Sequence, residues 1–252
     1  MSATAIFLLV LLFFITSAVG VVTGSNSLIT VPVMFQFGID PKVAVATNMF
    51  GLTFMAIGAT IPFLRQGAID KRKVSPLIVL TVVGSAIGAA LVGFISDKTM
   101  PIIVSVSMII VTVFTLIKRQ AGVAKIETVS RSSLIITYAL VFLLGIYGGL
   151  YSGGYVTLLT ASYVAFFGMT FTESVASTKL INVFSSSIAS AIFMWQGLVD
   201  YELGAILAVT MFVAAYIGAK TVTKLNDIWL KRIFLGTVLI LAIKTIFDFA
   251  VK

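Results

Sequence analysis

The sequence contains neither cysteine nor histidine. Their absence removes disulfides, thiolate and imidazole metal ligands, cysteine nucleophiles and histidine general bases from the available chemistry. Charge is also scarce: 10% of the 252 residues are charged and 60% are hydrophobic, with a mean hydropathy of +1.16. These proportions lie outside the range of a soluble globular domain and point to a membrane protein. At roughly 20 residues per crossing of a ~30 Å hydrocarbon core, the chain could supply about ten apolar segments and leave almost nothing for a soluble domain.

The first apolar run, Ala3 to Val22, has no Lys or Arg before it and no A-x-A-like site after it. It is therefore expected to be a retained transmembrane helix rather than a cleaved signal. The net charge of +8 sits in short loops between apolar runs, where membrane orientation explains it and nucleic acid is not needed.

What is present is an internal repeat, spaced by about 130 residues. In the first half, GSNSLITVP (24–32), AVATNMF (44–50) and QGAID (66–70) follow one another. In the second, GIYGG (145–149) runs into LYSGGYVTLL (150–159), then VASTKLI (175–181) and QGLVD (196–200). Two long apolar segments close each half, 74–96 and 100–117 in the first, 203–222 and 233–250 in the second. The predicted organisation is a first repeat over 1–119, a cytoplasmic linker over 120–131 and a second repeat over 132–252.

The runs 24–38 and 152–168 are too short to cross as helices, reaching only about 22 to 25 Å at 1.5 Å per residue. Both begin with Gly, Ser or Asn, residues that interrupt or cap helices. Each reads as part of a broken or hairpin unit whose turn lies within the membrane, tolerable only where it is buried in protein or lines a cavity. The predicted fold is thus all-α and polytopic, with each half a broken unit followed by three transmembrane helices.

Basic residues bear on orientation. If each short run returns the chain across the membrane, three loops fall on the cytoplasmic side: Arg65, Lys71, Arg72 and Lys73; Lys118, Arg119, Lys125 and Arg131; and Lys220, Lys224, Lys231 and Arg232. The acidic loop with Asp200 and Glu202 falls outside. The opposite assumption moves the third basic loop out and the acidic loop in, so the halves are expected to be inverted repeats.

Lys179 lies about nine residues into an apolar stretch running from Thr170 to Trp195, where an ionisable group is costly and usually functional. Lys179, Asn182, Ser186 and Ser190 share one helical face, a stripe suited to an oxyanion. The alternative is that Lys179 snorkels to an interface or pairs with Glu173.

Gly24, Ser25, Asn26 and Ser27 form a second candidate site, with Ser152, Gly153 and Gly154 as counterpart. At the N-terminus of a half-helix, such residues bind anions through backbone N–H groups and the helix dipole. They could instead let helices cross closely. Thr47 and Asn48 match Thr178 and Lys179, as further polar ligands or as caps and helix-to-helix bonds. Gly84, Gly88 and Gly93 with their small neighbours read as packing. Pro62 should kink its helix, and the QG-x-x-D segments form matched turns.

At these residues the chain resembles the TauE/SafE family, also called the toluenesulfonate uptake permease family, over essentially its whole length. The features carrying the resemblance are GSNSLITVP, AVATN and the G-x-[IV]-D turn, with the echoes GGLYSGG, VASTK and GLVD. The resemblance implies transport, commonly export, of sulfite, sulfonates or related small sulfur-containing anions. A carrier working by alternating access would enclose the anion between the two broken units, with Lys179 as compensating charge. Its partners would be that anion, a proton where coupling needs one, and the lipid bilayer; no cofactor is expected. An uncoupled channel is the alternative. An intramembrane enzyme lacks a nucleophile with its base, and a mere scaffold would need no polar stripe.

Overall fold

A computed structural model describes residues 2–24, 26–117, 130–225, 228, 229 and 232, with residues 112–117 described by their backbone. Ser25, Lys231, all but the last two residues of the expected linker and the expected closing segment 233–250 lie outside the described residues. Within them the protein is all-α, with helices α1 (Ala3–Thr23), α2 (Ser27–Gln36), α3 (Pro41–Arg65), α4 (Lys71–Val92), α5 (Met100–Ile117), α6 (Arg131–Leu150), α7 (Tyr155–Phe166), α8 (Phe171–Trp195) and α9 (Tyr201–Val222). Six of these, α1, α3, α4, α6, α8 and α9, are long and apolar enough to cross a membrane. The two short runs become α2 and α7, of 10 and 12 residues, or about 15 and 18 Å.

Polar residues start these helices and glycine stops several of them. The Ser2, Asp40, Asp70, Ser130 and Asp200 side chains each accept a bond from a first-turn N–H, and Thr170 with Glu173 forms a capping box at α8. The six glycines with positive φ fall into three pairs, 24 and 154, 38 and 168, 67 and 197, each 130 residues apart. Gly67 and Gly197 end α3 and α8 in the same way: the next residue's N–H reaches back to Phe63 O at 3.2 Å and Phe193 O at 3.0 Å. This left-handed stop leaves few orphan carbonyls before the next helix begins.

Between Pro41 and Val222, α3, α4, α8 and α9 repeat with the same spacing of 130 at both ends. AVATN and VASTK are therefore offset by one from the match expected from sequence: Asn48 corresponds to Thr178, and Lys179 to Met49. Side chains agree, since Thr30 donates to Asn48 Oδ1 at 2.8 Å and, 130 residues on, Thr160 and Thr178 share a hydrogen bond of 3.3 Å.

The helices interleave. α3 packs on α9 and α8 on α4; α1 packs on α9 and α6 on α4; α3 and α8 touch each other. Exchanging corresponding helices leaves this pattern unchanged. α3 and α8 form the centre, with 72% and 61% of their most apolar windows buried, against 28% to 44% for the other four long helices. Small residues permit the closest approaches: a Cβ on Gly88 would collide with the Ile146 carbonyl, and one on Gly218 with that of Ala18. Outward faces carry Phe7, Leu11 and Ile15 on α1, Val79 and Val83 on α4, and Val209 and Val213 on α9, as a lipid-facing surface requires.

Candidate functional site

The two broken units meet each other. Ser27, the first residue of α2, and Ser152, in the turn before α7, share a hydrogen bond of 2.8 Å between their hydroxyls. Tyr151 donates its hydroxyl to Ser27 O at 2.8 Å, and Thr157 donates to Thr23 O at 2.6 Å. Asn48 on α3 donates to Ser27 Oγ at 2.9 Å. Tyr147 donates to the Gly153 carbonyl, closing the second turn.

Beside this knot is a cavity with about 350 Å³ of empty space, not all of it enclosed, lined by Gly20, Gly24, Asn26, Ser27, Leu52, Met55, Ala56, Ser152, Val156, Lys179 and Asn182. The starts of both α2 and α7 contribute lining residues, so the positive ends of two helix dipoles lie at one cavity. Lys179 is 3% exposed, and its ammonium donates to Gly20 O near the end of α1 at 3.1 Å. Among the described residues it has no ion-pair partner; the one salt bridge joins Lys42 and Asp97. Glu173 is turned to its own helix start, where its carboxylate accepts from Thr170 N at 2.9 Å. Lys179 therefore neither snorkels to an interface nor pairs with Glu173. It is a buried amine with no counter-charge among the described residues.

Asn26 donates through Nδ2 to Ser17 Oγ at 3.3 Å and to Met55 Sδ at 3.5 Å, while its Oδ1 has no hydrogen-bond partner among the described residues. Turning the amide over would keep a bond with Ser17 and present N–H instead.

Six residues expected from sequence line this cavity: Lys179, Asn182, Gly24, Asn26, Ser27 and Ser152. The others lie around it or elsewhere. Asn48 is bonded to Ser27 and Thr30. Thr178 donates to Val175 O at 2.8 Å, and Thr47 accepts from Asp200 N at 3.0 Å. Ser186 bonds back to the Asn182 carbonyl, and Ser190 pairs with Thr53 at 3.1 Å. Gly153 and Gly154 belong to the α7 turn, with Gly154 as its N-cap packed on Val111. The polar stripe on α8 thus reaches the cavity with its first two members only. Sequence reasoning missed Gly20, Leu52, Met55, Ala56 and Val156. Stepping 130 residues back from Asn182 lands on Leu52 and would have found part of the second wall.

Membrane-length helices packed around a partly enclosed cavity define a polytopic membrane protein. The sequence profile described as Sulfite exporter TauE/SafE matches residues 9–245, and the chain belongs to that family. Similar proteins include a "Probable membrane transporter protein" of Haemophilus influenzae, 26% identical over 220 residues, covering 85% of each chain. Another, of Sinorhizobium, is 25% identical over 224 residues, covering 87% of this chain and 85% of the relative. A third, of Escherichia coli, is 24% identical over 246 residues, covering 96% and 90%. No solved structure matches significantly. The protein is a multi-pass membrane transporter of the cell membrane.

Proposed function

We propose that the protein is a secondary transporter that exports small sulfur-containing oxyanions, such as sulfite or organosulfonates, by alternating access. The observation that carries this reading is Lys179: a buried amine with no counterion among the described residues, beside Asn182 and the starts of two short helices, would suit one anion in the site. The sulfur chemistry and the direction of transport come from the family description.

The reading includes two repeats, 1–119 and 132–252, inverted relative to each other. The running direction of the helices supports it. α3 and α9 are parallel, since Thr47 meets Asp200 at their starts and Gln66 Nε2 donates to Thr223 O at 2.9 Å at their ends. α8 and α4 also end together, where Gln196 Nε2 donates to Ala89 O and Ala90 O, both at 3.3 Å. The five-residue turn 66–70 is too short to recross a ~30 Å core, so α3 and α4 run oppositely. α3 and its counterpart α8 then run oppositely as well. The Gln66 bond also brings the first and third basic loops to one face, as expected for the cytoplasmic side.

Lys179 and Gly20 suggest how binding would be coupled to movement. The ammonium ties α8 to the last turns of α1, and an anion in the cavity competes for the same N–H donors. Binding would loosen that tie and free one half to move against the other.

Uptake of labelled sulfite and sulfonates into proteoliposomes, with and without an imposed pH gradient, tests the reading. Saturable uptake that accelerates with the gradient and is lost in Lys179→Ala is expected. Uptake that never saturates would favour a channel, and none from folded protein would discard the anion class. The natural lack of cysteine permits a test of orientation: single cysteines at Gln66 and Lys224 should label from one face and one at Glu202 from the other. Labelling of Gln66 and Glu202 from one face and Lys224 from the other would sink the inverted arrangement.

A further inference from the structure

We infer that the carried anion is one-headed, a single oxyanion group joined to a short uncharged apolar group, and that Leu52 and Met55 on α3 set this preference. The inference rests on the transport reading above and narrows its substrate class.

The two central helices line the same cavity with opposite chemistry. α8 contributes Lys179 and Asn182; α3 contributes Leu52, Met55 and Ala56. At the spacing of 130, those three correspond to Asn182, Ser185 and Ser186, of which Asn182 lines the cavity, so one cavity position is apolar on α3 and polar on α8. Leu52 and Met55 are 5% and 4% exposed, and Val156 adds a further apolar surface. Met55 is held in place through the contact of its sulfur with Asn26 Nδ2.

Charge sets the other limit. Among the described residues Lys179 is the one ionisable residue lining the cavity, so the site can compensate one negative charge and would leave a second one buried and unpaired. A bare inorganic ion would also leave Leu52 and Met55 facing polar oxygens. An anion with an alkyl group places oxygens toward α8 and carbon toward α3, and each methylene buried there should raise affinity roughly fourfold.

The test compares proteoliposome uptake of labelled sulfite and labelled propane-1-sulfonate, with unlabelled ethane-1,2-disulfonate as competitor. Wild type should take up propane-1-sulfonate with at least tenfold higher apparent affinity than sulfite, and the disulfonate should compete poorly. Leu52→Asn and Met55→Ser, which copy the residues of α8, should shift the ratio toward sulfite by roughly tenfold, while Met55→Leu should keep it. Equal affinity for sulfite and propane-1-sulfonate, effective competition by the disulfonate, or an unchanged ratio in Met55→Ser overturns the inference and leaves the transport reading intact. Uptake of neither anion by wild type overturns both.

Discussion

α3 and α8 have the same length, equivalent boundaries and the same central position, yet they differ where they face the cavity. Met49, Leu52 and Met55 on one helix stand where Lys179, Asn182 and Ser185 stand on the other. Away from that face the helices use similar devices: a polar first cap, a glycine stop, and a hydroxyl or amide bonded to the short helix beside it. The common features hold the scaffold, and of the residues that differ Leu52, Met55, Lys179 and Asn182 line the cavity. Function in a repeated fold is written where the repeats disagree.

The largest expected effect comes from erasing that disagreement. Lys179→Met gives α8 the residue of α3, and saturable anion uptake should fall by roughly 100-fold, the scale of removing a charge-assisted partner from a desolvated site. Monodisperse protein in detergent would confirm folding, and near-normal uptake would remove Lys179 from the site.

Next are the glycines that both halves share. Gly88→Ala and Gly218→Ala each put a methyl against a carbonyl of the neighbouring helix, and each should cost about 1 to 3 kcal/mol. Thermal unfolding in detergent should show similar drops for the two. A loss confined to one would mean that the α4 and α9 packings are less equivalent than their geometry.

A smaller effect is expected for Asn182→Leu, which copies Leu52. Losing one polar ligand should weaken the apparent affinity for anion by about tenfold, measured as the half-saturation concentration in the same vesicles. The smallest effects separate Asn48 from Thr178. Asn48→Ala removes one bond from Thr30 and one from Ser27, which keep Asn26 O and Ser152 as partners, and should cost about 1 kcal/mol of stability, whereas Thr178→Ala should cost about 0.5 kcal/mol. The reverse order would show that the second-half junction is the tighter one.

Much of this was legible in the sequence, for definite reasons. Long apolar runs have few solutions in a membrane, so the all-α fold follows from composition. The short runs after Gly24 and Ser152 were recognisable because helix length is set against a fixed core thickness. Lys179 was recognisable because a charge among apolar neighbours is rare. The register of VASTK over AVATN was read one residue out, because similar small residues align almost equally well at either offset. The fixed helix caps, Asp40 with Thr170 and Asp70 with Asp200, decided it.

The sequence by itself determined that the chain lives in a membrane, repeats its plan and sets a lysine within an apolar stretch, since each follows from local composition and spacing. Only the tertiary structure decided what that lysine meets. Gly20 lies 159 positions from Lys179, and Ser27 lies 125 from Ser152; no local pattern encodes such a pairing. The exchange of helices between halves brings them together, and the same exchange sets the apolar face of α3 beside the polar face of α8.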